Sequence, residues 1–127
     1  MKYLIIVIFI VVIFTGIKKI YAAQVAKNSC FENIGNDGFK YRMKDKEQVV
    51  LLDVRTLGEF KAGNIENSIH IDVLQNSYKE QVSKLDKEKT YLVYCRSGNR
   101  SIKAAVILCD LGFTKVYNLS NGYMKWK

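Results

Sequence analysis

The sequence predicts an α/β domain in three layers, with helices on both sides of a central, mainly parallel sheet of about five strands. Short, continuous apolar runs recur along the chain, and such runs are typical of strands buried on both faces of a parallel sheet. Between two of these runs lies a segment whose apolar positions recur at helical spacing and which ends at a glycine. Strands that alternate with helices in this way favour parallel βαβ units.

The composition is that of one folded domain. The chain has 127 residues, of which 49% are hydrophobic and 25% are charged. These values exclude a disordered chain, and the length is too small for two domains of ordinary size. The chain has no proline, three cysteines and one histidine. These counts exclude a Pro-rich linker and a small disulfide framework, and they argue against a four-ligand zinc site.

The first element is an N-terminal targeting segment, residues 1–23. Residues 1–23 contain three lysines and no acidic residue, and a run of 15 apolar residues covers 3–17. Such a run is shorter than the roughly 18–20 residues that cross a bilayer comfortably. Because the small residues Ala22 and Ala23 follow, residues 1–23 indicate a secretory signal peptide and therefore an exported protein. An uncleaved anchor to the inner membrane is the alternative, and the two lysines directly after the run favour it.

The remainder of the chain is mildly basic. The whole chain has 20 basic and 12 acidic side chains, a balance of +8. The targeting segment contains three of the lysines, so 17 basic and 12 acidic side chains remain in the rest of the chain, a net charge of +5. Acidic residues alternate with these lysines, so we expect no nucleic-acid partner. We expect contact with a membrane only through the targeting segment, if it is not cleaved. Residues 24–33 are interpreted as a lead-in segment, and residues 34–127 as the domain, which we expect to be monomeric.

The elements of the domain follow from local patterns. The apolar runs that predict strands are 49–54, 68–71, 91–94 and 116–119, of which the second is the weakest. A helix is predicted over residues 100–111, and its apolar positions are Ile102, Ala105, Val106 and Cys109. Gly112 follows this helix as a stop signal. The polar lead-in residues predict the cap of a short helix over residues 39–43.

The residues that carry chemistry follow the strand 91–94. Cys95 begins a loop at the carboxyl end of a predicted parallel strand, where open α/β sheets bind their ligands. Gly98 permits the positive φ of a turn that folds its N–H groups around a sulfur atom. The following helix N-terminus and the charges of Arg96 and Arg100 favour a thiolate, so we expect a nucleophilic Cys95 with a lowered pKa. The candidate substrate-binding residues are Arg96, Ser97, Gly98, Asn99, Arg100 and Ser101.

The spacing in this loop separates two chemistries. Cysteine phosphatases need the pattern C-x5-R, whereas Arg100 follows Cys95 here as C-x4-R. A tighter loop has room for one sulfur atom added to the cysteine rather than for a phosphoryl group, which favours a persulfide intermediate. The spacing therefore disfavours a Cys-dependent phosphatase or arsenate reductase. A sulfur carrier or binding module with little turnover stays open as a second alternative.

The ordered motifs resemble those of the single-domain rhodaneses, a family of thiosulfate-type sulfurtransferases. The resemblance covers residues 34–126 and is carried by Leu52-Asp53-Val54-Arg55, Glu59-Phe60, Gly63-Asn64-Ile65, Asn67–Ile71, the loop Cys95–Ser101, Ala104-Ala105, Leu108, Leu111–Phe113, Val116–Leu119 and Gly122–Trp126. With the export signal, the chain is most similar to the small periplasmic rhodaneses of the phage-shock-protein E kind. Two residues depart from the pattern: Asn64 stands where histidine is common, and Asn121 where glycine is common. We expect Asn121 to tolerate a left-handed turn.

The resemblance implies a two-step reaction that needs no metal and no organic cofactor. The Cys95 thiolate would take the outer sulfur of a small anionic donor such as thiosulfate and release sulfite. The resulting persulfide would pass that sulfur to cyanide or to a thiol acceptor. Arg96 and Arg100 would hold the anionic donor beside the cysteine.

The other marked residues are expected to support the structure. At the end of the strand 49–54, we expect Arg55 to pair with Glu59, and Asp53 to hold neighbouring backbone. His70, the single histidine, lies at a strand end and is interpreted as structural, because the persulfide chemistry needs no base once the thiolate is present. Phe113 and Trp126 are expected to pack in the core.

The two remaining cysteines have different expectations. Cys109 falls on the apolar face of the predicted helix and is expected to be a core residue. The sequence does not place Cys30. A disulfide between Cys30 and Cys95 would switch the nucleophile off in an oxidising compartment, and we do not expect it.

Overall fold

The computed structural model describes residues 1–27 and 30–127. Its five strands are β1 Phe31–Ile34, β2 Val49–Asp53, β3 Ile69–His70, β4 Thr90–Tyr94 and β5 Val116–Leu119. Its helices are α1 Lys2–Lys27, α2 Asn36–Arg42, α3 Leu57–Ala62, α4 Tyr78–Ser83 and α5 Arg100–Asp110. The strands form one sheet in the order β1-β5-β4-β2-β3, and all four pairings are parallel. The predicted fold class is confirmed.

The strand period sorts the core onto the two faces of the sheet. In β4, Tyr91 and Val93 point to the face covered by α4 and α5, whereas Leu92 and Tyr94 point to the face covered by α2 and the C-terminal residues. All four of these side chains are buried. A central strand buried on both faces explains the continuous apolar run in the sequence. The same period places Cys95 on the α5 face.

The sequence did not predict β1, which crosses the boundary drawn between the lead-in segment and the domain. This edge strand pairs with β5 from Phe31 opposite Val116 to Ile34 opposite Leu119. Its two central residues, Glu32 and Asn33, are exposed. An edge strand with a polar centre lacks the apolar run by which the other strands were identified.

Helix α5 begins at the Cys95 loop and ends just before Gly112, which has a φ of 96°. Its buried residues are Ser101, Ala104, Ala105 and Leu108, so Ala105 is buried as predicted, but the rest of the buried face lies about one residue before the predicted positions. The face is rotated because the first turn brings the Ser101 hydroxyl against the Cys95 sulfur. Ile102, expected in the core, is exposed instead.

Most of helix α1 lies outside the core of the domain. Its segment Lys2–Ile20 is exposed throughout, and its 19 residues are long and apolar enough to cross a membrane. A signal sequence meets the same criteria. The helix is compatible with both of the interpretations given to residues 1–23.

Candidate active site

Cys95 lies directly after β4, at the edge of the sheet where the parallel strands end. It is fully buried, with no exposed surface, and it is the one free cysteine among the residues that the structure describes. The next four residues turn back over its sulfur and lead into α5. The position expected from topology is therefore the position that the structure shows.

Two hydrogen bonds converge on the Cys95 sulfur. The Gly98 N–H donates to Sγ over 3.2 Å, and the Ser101 hydroxyl donates to it over 3.3 Å. Burial by itself raises the pKa of the Cys95 thiol. The Ser101 hydroxyl and the backbone N–H groups of Ser101, Gly98 and Ser97 outweigh burial and lower this pKa. The loop thus favours the thiolate form of Cys95.

Gly98 provides the loop conformation that the sequence predicted. Its φ is 97°, and an added Cβ would overlap the carbonyl oxygen of Ser120. Asn99 does not share this conformation, because its φ is −87°. Only a glycine both adopts this φ without strain and lets the loop approach the chain after β5 so closely.

Asn118 anchors the loop from β5, and the sequence did not predict this role. Its buried side-chain amide donates to the Gly98 carbonyl oxygen over 3.2 Å and to Asn33 Oδ1 over 2.8 Å. Within the described part of the chain, Asn118 Oδ1 has no hydrogen-bond partner. The signal that could have revealed this residue is its polarity inside the otherwise apolar run of β5.

The chain after β5 completes the wall of the site. The Tyr123 N–H donates to the Cys95 carbonyl oxygen over 2.8 Å, and the Met124 N–H donates to the Arg96 carbonyl oxygen over 3.0 Å. Gly122, with a φ of 66°, packs against the Arg96–Ser97 peptide. Asn121 does not adopt the left-handed turn that its position suggested, since Gly122 supplies the positive φ and Asn67 is the one non-glycine residue with positive φ in the described ranges.

Arg100 forms an ion pair that the sequence did not predict. Its guanidinium contacts both carboxylate oxygens of Glu59 over 2.8 and 2.9 Å, with both side chains half-buried. Hydrogen bonds from Arg100 lower the pKa of Glu59 to about 2, and the same contact raises the pKa of Arg100. The geometry therefore does not support Arg100 as a charge available to the substrate. Its contact instead joins the start of α5 to α3.

The prediction that Arg55 pairs with Glu59 is wrong. Arg55 pairs with Asp53 over 2.6 Å, with both residues buried at the end of β2. Asp53 also accepts the Arg55 backbone N–H over 3.0 Å, so its expected role in holding neighbouring backbone is confirmed. A second Arg55 N–H donates to the Gly63 carbonyl oxygen over 2.6 Å. The Asp53 carboxylate, two residues away, is within reach of the Arg55 guanidinium, whereas Glu59 on α3 pairs with Arg100.

His70 has a structural role, as expected. Its Nε2 lies 2.6 Å from the Arg55 carbonyl oxygen, and its ring stacks on Phe60 at a centroid distance of 4.8 Å. Phe113 is buried, and Trp126 packs edge-on against Phe39. These three packing predictions are confirmed.

Arg96, Ser97 and Asn99 are the exposed residues of the loop. Arg96 has no ion pair within the described ranges of the chain. Among these same residues, no three His, Cys, Asp or Glu side chains are grouped so that they could hold a metal ion.

The expectation that Cys109 is a simple core residue is wrong. Cys109 forms a disulfide with Cys30, with the two Cα atoms 5.7 Å apart. Since β1 was not predicted, nothing in the sequence placed Cys30 beside the end of α5. The disulfide leaves Cys95 as a free thiol at the other end of this helix.

Comparisons with known proteins agree with this geometry. The rhodanese-like domain family matches residues 38–127. A tRNA uridine(34) hydroxylase of Cytophaga hutchinsonii is 38% identical over 87 residues, which are 66% of this chain but only 28% of that protein. The thiosulfate sulfurtransferase GlpE of Coxiella burnetii is 34% identical over 87 residues, 68% of this chain and 79% of that protein. A rhodanese-related protein from Thermoplasma volcanium has a similar crystal structure, with a TM-score of 0.65 and 32% identity over 75% of this chain and 89% of that one.

Proposed function

Because this chain belongs to the rhodanese family, we propose that it is a sulfurtransferase that moves a sulfane sulfur from thiosulfate or a similar donor through a persulfide on Cys95. The general activity is supported by relatives such as the sulfurtransferase of Coxiella burnetii. The observation that carries the finer proposal is the free Cys95 sulfur with the Gly98 N–H and the Ser101 hydroxyl directed at it.

The chemistry divides into two displacements at sulfur. The Cys95 thiolate attacks the outer sulfur of thiosulfate, a Cys95–sulfur bond forms, and the donor's S–S bond breaks as sulfite leaves with the electron pair. The acceptor then attacks the outer sulfur of the persulfide, and Cys95 leaves as a thiolate. Neither displacement needs an added oxidant or reductant. When cyanide or a thiolate is the acceptor, no proton is taken up or released.

The loop stabilises the anion at each stage. The N–H of Gly98 and the hydroxyl of Ser101 stabilise the resting thiolate, and such fixed donors stabilise a persulfide anion formed in the same place. We assign the first contact with the anionic donor to Arg96, which is exposed and has no ion pair among the described residues. Arg100 holds the loop against α3 through Glu59.

Localisation is part of the proposal. We infer that the domain, residues 31–127, acts on the exported side of the membrane, with residues 1–23 as a signal peptide or, alternatively, an anchor. The Cys30–Cys109 disulfide supports this inference, because such bonds persist in oxidising compartments such as the periplasm. Sequencing the N-terminus of protein from the periplasmic and membrane fractions distinguishes cleavage from anchoring, and recovery in the cytoplasm alone would refute export.

The test of the proposed function is sulfur transfer by the full chain. Incubation with thiosulfate should add about 32 Da to the wild-type protein, the mass of one sulfur atom, and addition of cyanide should remove it as thiocyanate. Cys95→Ala should lose both the mass change and thiocyanate formation. Thiocyanate formation that persists in this variant would refute the role of Cys95. Phosphate-ester hydrolysis without any sulfur adduct would favour the phosphatase alternative.

A further inference from the structure

A cleft of about 240 Å³ borders the Cys95 loop, with Arg96 in its lining. One wall is formed by Glu59, Ala62 and Gly63, and the opposite wall by Arg96, Tyr123 and Met124. This second wall is tied to the nucleophile itself, because Tyr123 and Met124 donate backbone hydrogen bonds to the carbonyl oxygens of Cys95 and Arg96. A molecule in the cleft is therefore adjacent to the loop that holds the reactive sulfur.

The charges around the cleft leave one cation without a partner. Arg55 lines it, but its charge is matched by buried Asp53 at 2.6 Å. Glu59 also lines it, and its charge is matched by Arg100 at 2.8 Å. Arg96 is exposed and has no ion pair in the described residues. The cleft thus presents one positive charge to a ligand, and the matched pairs beside it discourage a second anionic group.

The rest of the lining includes apolar surface. Met124 is 57% exposed, and the Ala62 methyl group is exposed on the opposite wall. A volume of about 240 Å³ has room for a small organic molecule. Thiosulfate is smaller and has no methylene group, so it leaves this apolar surface unused.

We propose that the cleft binds the sulfur acceptor, and that the acceptor class is a small thiol that carries one carboxylate. Arg96 binds the carboxylate, while Ala62 and Met124 contact the methylene groups that join it to the thiol. The inference rests on the proposed function. Donor and acceptor share the cleft in turn, because sulfite leaves before the acceptor thiolate attacks the persulfide. The acceptor gains the sulfur and Cys95 returns to a thiolate.

The charge preference of the cleft can be tested without sulfur transfer. Iodoacetate and iodoacetamide differ at one end only, as carboxylate and amide, and Cys95 is the free thiol that they alkylate. The ratio of their rates, iodoacetate over iodoacetamide, should fall roughly fivefold in Arg96→Gln, the value of an ion pair of about 1 kcal/mol. Arg96→Lys should restore most of it. An unchanged ratio in Arg96→Gln would refute carboxylate binding by Arg96.

The acceptor class is tested with the persulfide form. The full chain is loaded with thiosulfate, freed of donor, and mixed with 3-mercaptopropionate or 2-mercaptoethanol, and loss of the added sulfur is followed by mass. The wild type should favour the carboxylate thiol more than Arg96→Gln does, by the same roughly fivefold factor. Ala62→Phe should slow transfer to both thiols more than transfer to cyanide, because the larger side chain takes up the space of the methylene groups.

The outcomes separate the two levels of the proposal. Failure of the wild type to load sulfur counts against the proposed function, and the iodoacetate ratio still decides whether the cleft prefers a carboxylate. Normal loading with equal discrimination between the two thiols in the wild type and Arg96→Gln refutes the acceptor class. A cleft that serves only a larger partner would give slow transfer to both thiols and no effect of Ala62→Phe, and that result also overturns the inference.

Discussion

At its first turn, α5 meets the Cys95 sulfur through the Ser101 hydroxyl, whereas its last turn carries Cys109, which is bonded to Cys30. The helix has 11 residues, so its two ends are separated by about 15 Å at 1.5 Å per residue. The unpaired N–H groups of a helix N-terminus favour an anion, and the unpaired carbonyl groups at a C-terminus do not. The sulfur of Cys95, the proposed nucleophile, therefore lies at the end that stabilises a thiolate.

Helix α5 keeps the free cysteine and the disulfide of this small domain apart. The two structural cysteines bond to each other at the end of α5 opposite to Cys95. Each end also has a glycine of nearly equal φ, 97° for Gly98 and 96° for Gly112. At Gly98 the backbone is crowded by Ser120, whereas nothing lies within 4 Å of a Cβ added at Gly112. A glycine with positive φ therefore shapes the Cys95 loop at one end of α5, whereas at the other end it only terminates the helix.

Removal of the disulfide should have the largest effect, and that effect should fall on stability. Replacing both Cys30 and Cys109 by serine should lower the free energy of unfolding by about 4 kcal/mol, since the bond closes a loop with a sequence separation of 79. Thiocyanate formation at a temperature well below the melting point should be retained. Urea unfolding of the wild type with and without a reductant is the matched measurement. Loss of activity in the folded double variant would break the separation of the two ends.

The two glycines provide a matched test at the level of the backbone. Gly98→Ala should reduce sulfur transfer roughly 100-fold, because the added Cβ displaces the N–H that donates to Cys95. Gly112→Ala has the same strained φ without a clash, so it should cost about 1 kcal/mol of stability and leave the rate unchanged. Steady-state rates and urea unfolding of both variants check this. Equal loss of activity in both would assign the effect to helix position rather than to the loop.

The sequence was informative wherever a local pattern decides the structure. The central strands are buried on both faces, so their sequences are continuous apolar runs. Gly98 has a φ that few other residue types adopt. The loop with Cys95 follows from the order of strand, loop and helix. These features depend on neighbours in the chain, and a period or a spacing is sufficient to indicate them.

The features that were missed depend on contacts between distant segments. The partner of Arg100 is Glu59, 41 residues away, and the partner of Cys30 is 79 residues away. Neither pairing has a signature in sequence spacing, because each is decided by which elements the sheet order brings together. Asn118 is similar, since its anchoring role appears only when the loop folds back over β5.

A substitution at Ser101 should have a smaller effect than Gly98→Ala, and this effect should fall on the pKa of Cys95. Ser101→Ala removes the hydroxyl hydrogen bond, one of the causes that lower the pKa of Cys95. The thiolate is the reactive form, so the pH profile of iodoacetamide alkylation should shift to higher pH. Ser97→Ala is the control, because Ser97 contributes its backbone N–H to the sulfur. A profile that stays in place in Ser101→Ala would contradict the assigned hydrogen bond.

The smallest effect should come from the ion pair that joins the first turn of α5 to α3. Arg100 lowers the pKa of Glu59 to about 2 from an ordinary value of 4.5. A lowered pKa in the folded state means that the pair stabilises the fold above pH 4.5 and that this contribution is lost as the pH falls towards 2. Glu59→Gln should therefore lower the free energy of unfolding by about 1 kcal/mol at pH 7 and by less at pH 3.

A matched control separates this ion pair from a generic charge effect. Glu80→Gln removes the exposed Glu80–Lys84 pair, whose side chains are 74% and 73% exposed, and it should change the unfolding free energy little at either pH. Urea unfolding of both variants at pH 7 and pH 3 makes the comparison. If the loss in Glu59→Gln were the same at both pH values, the ionised carboxylate would not be its source. The contact would then hold α5 to α3 by packing rather than by charge.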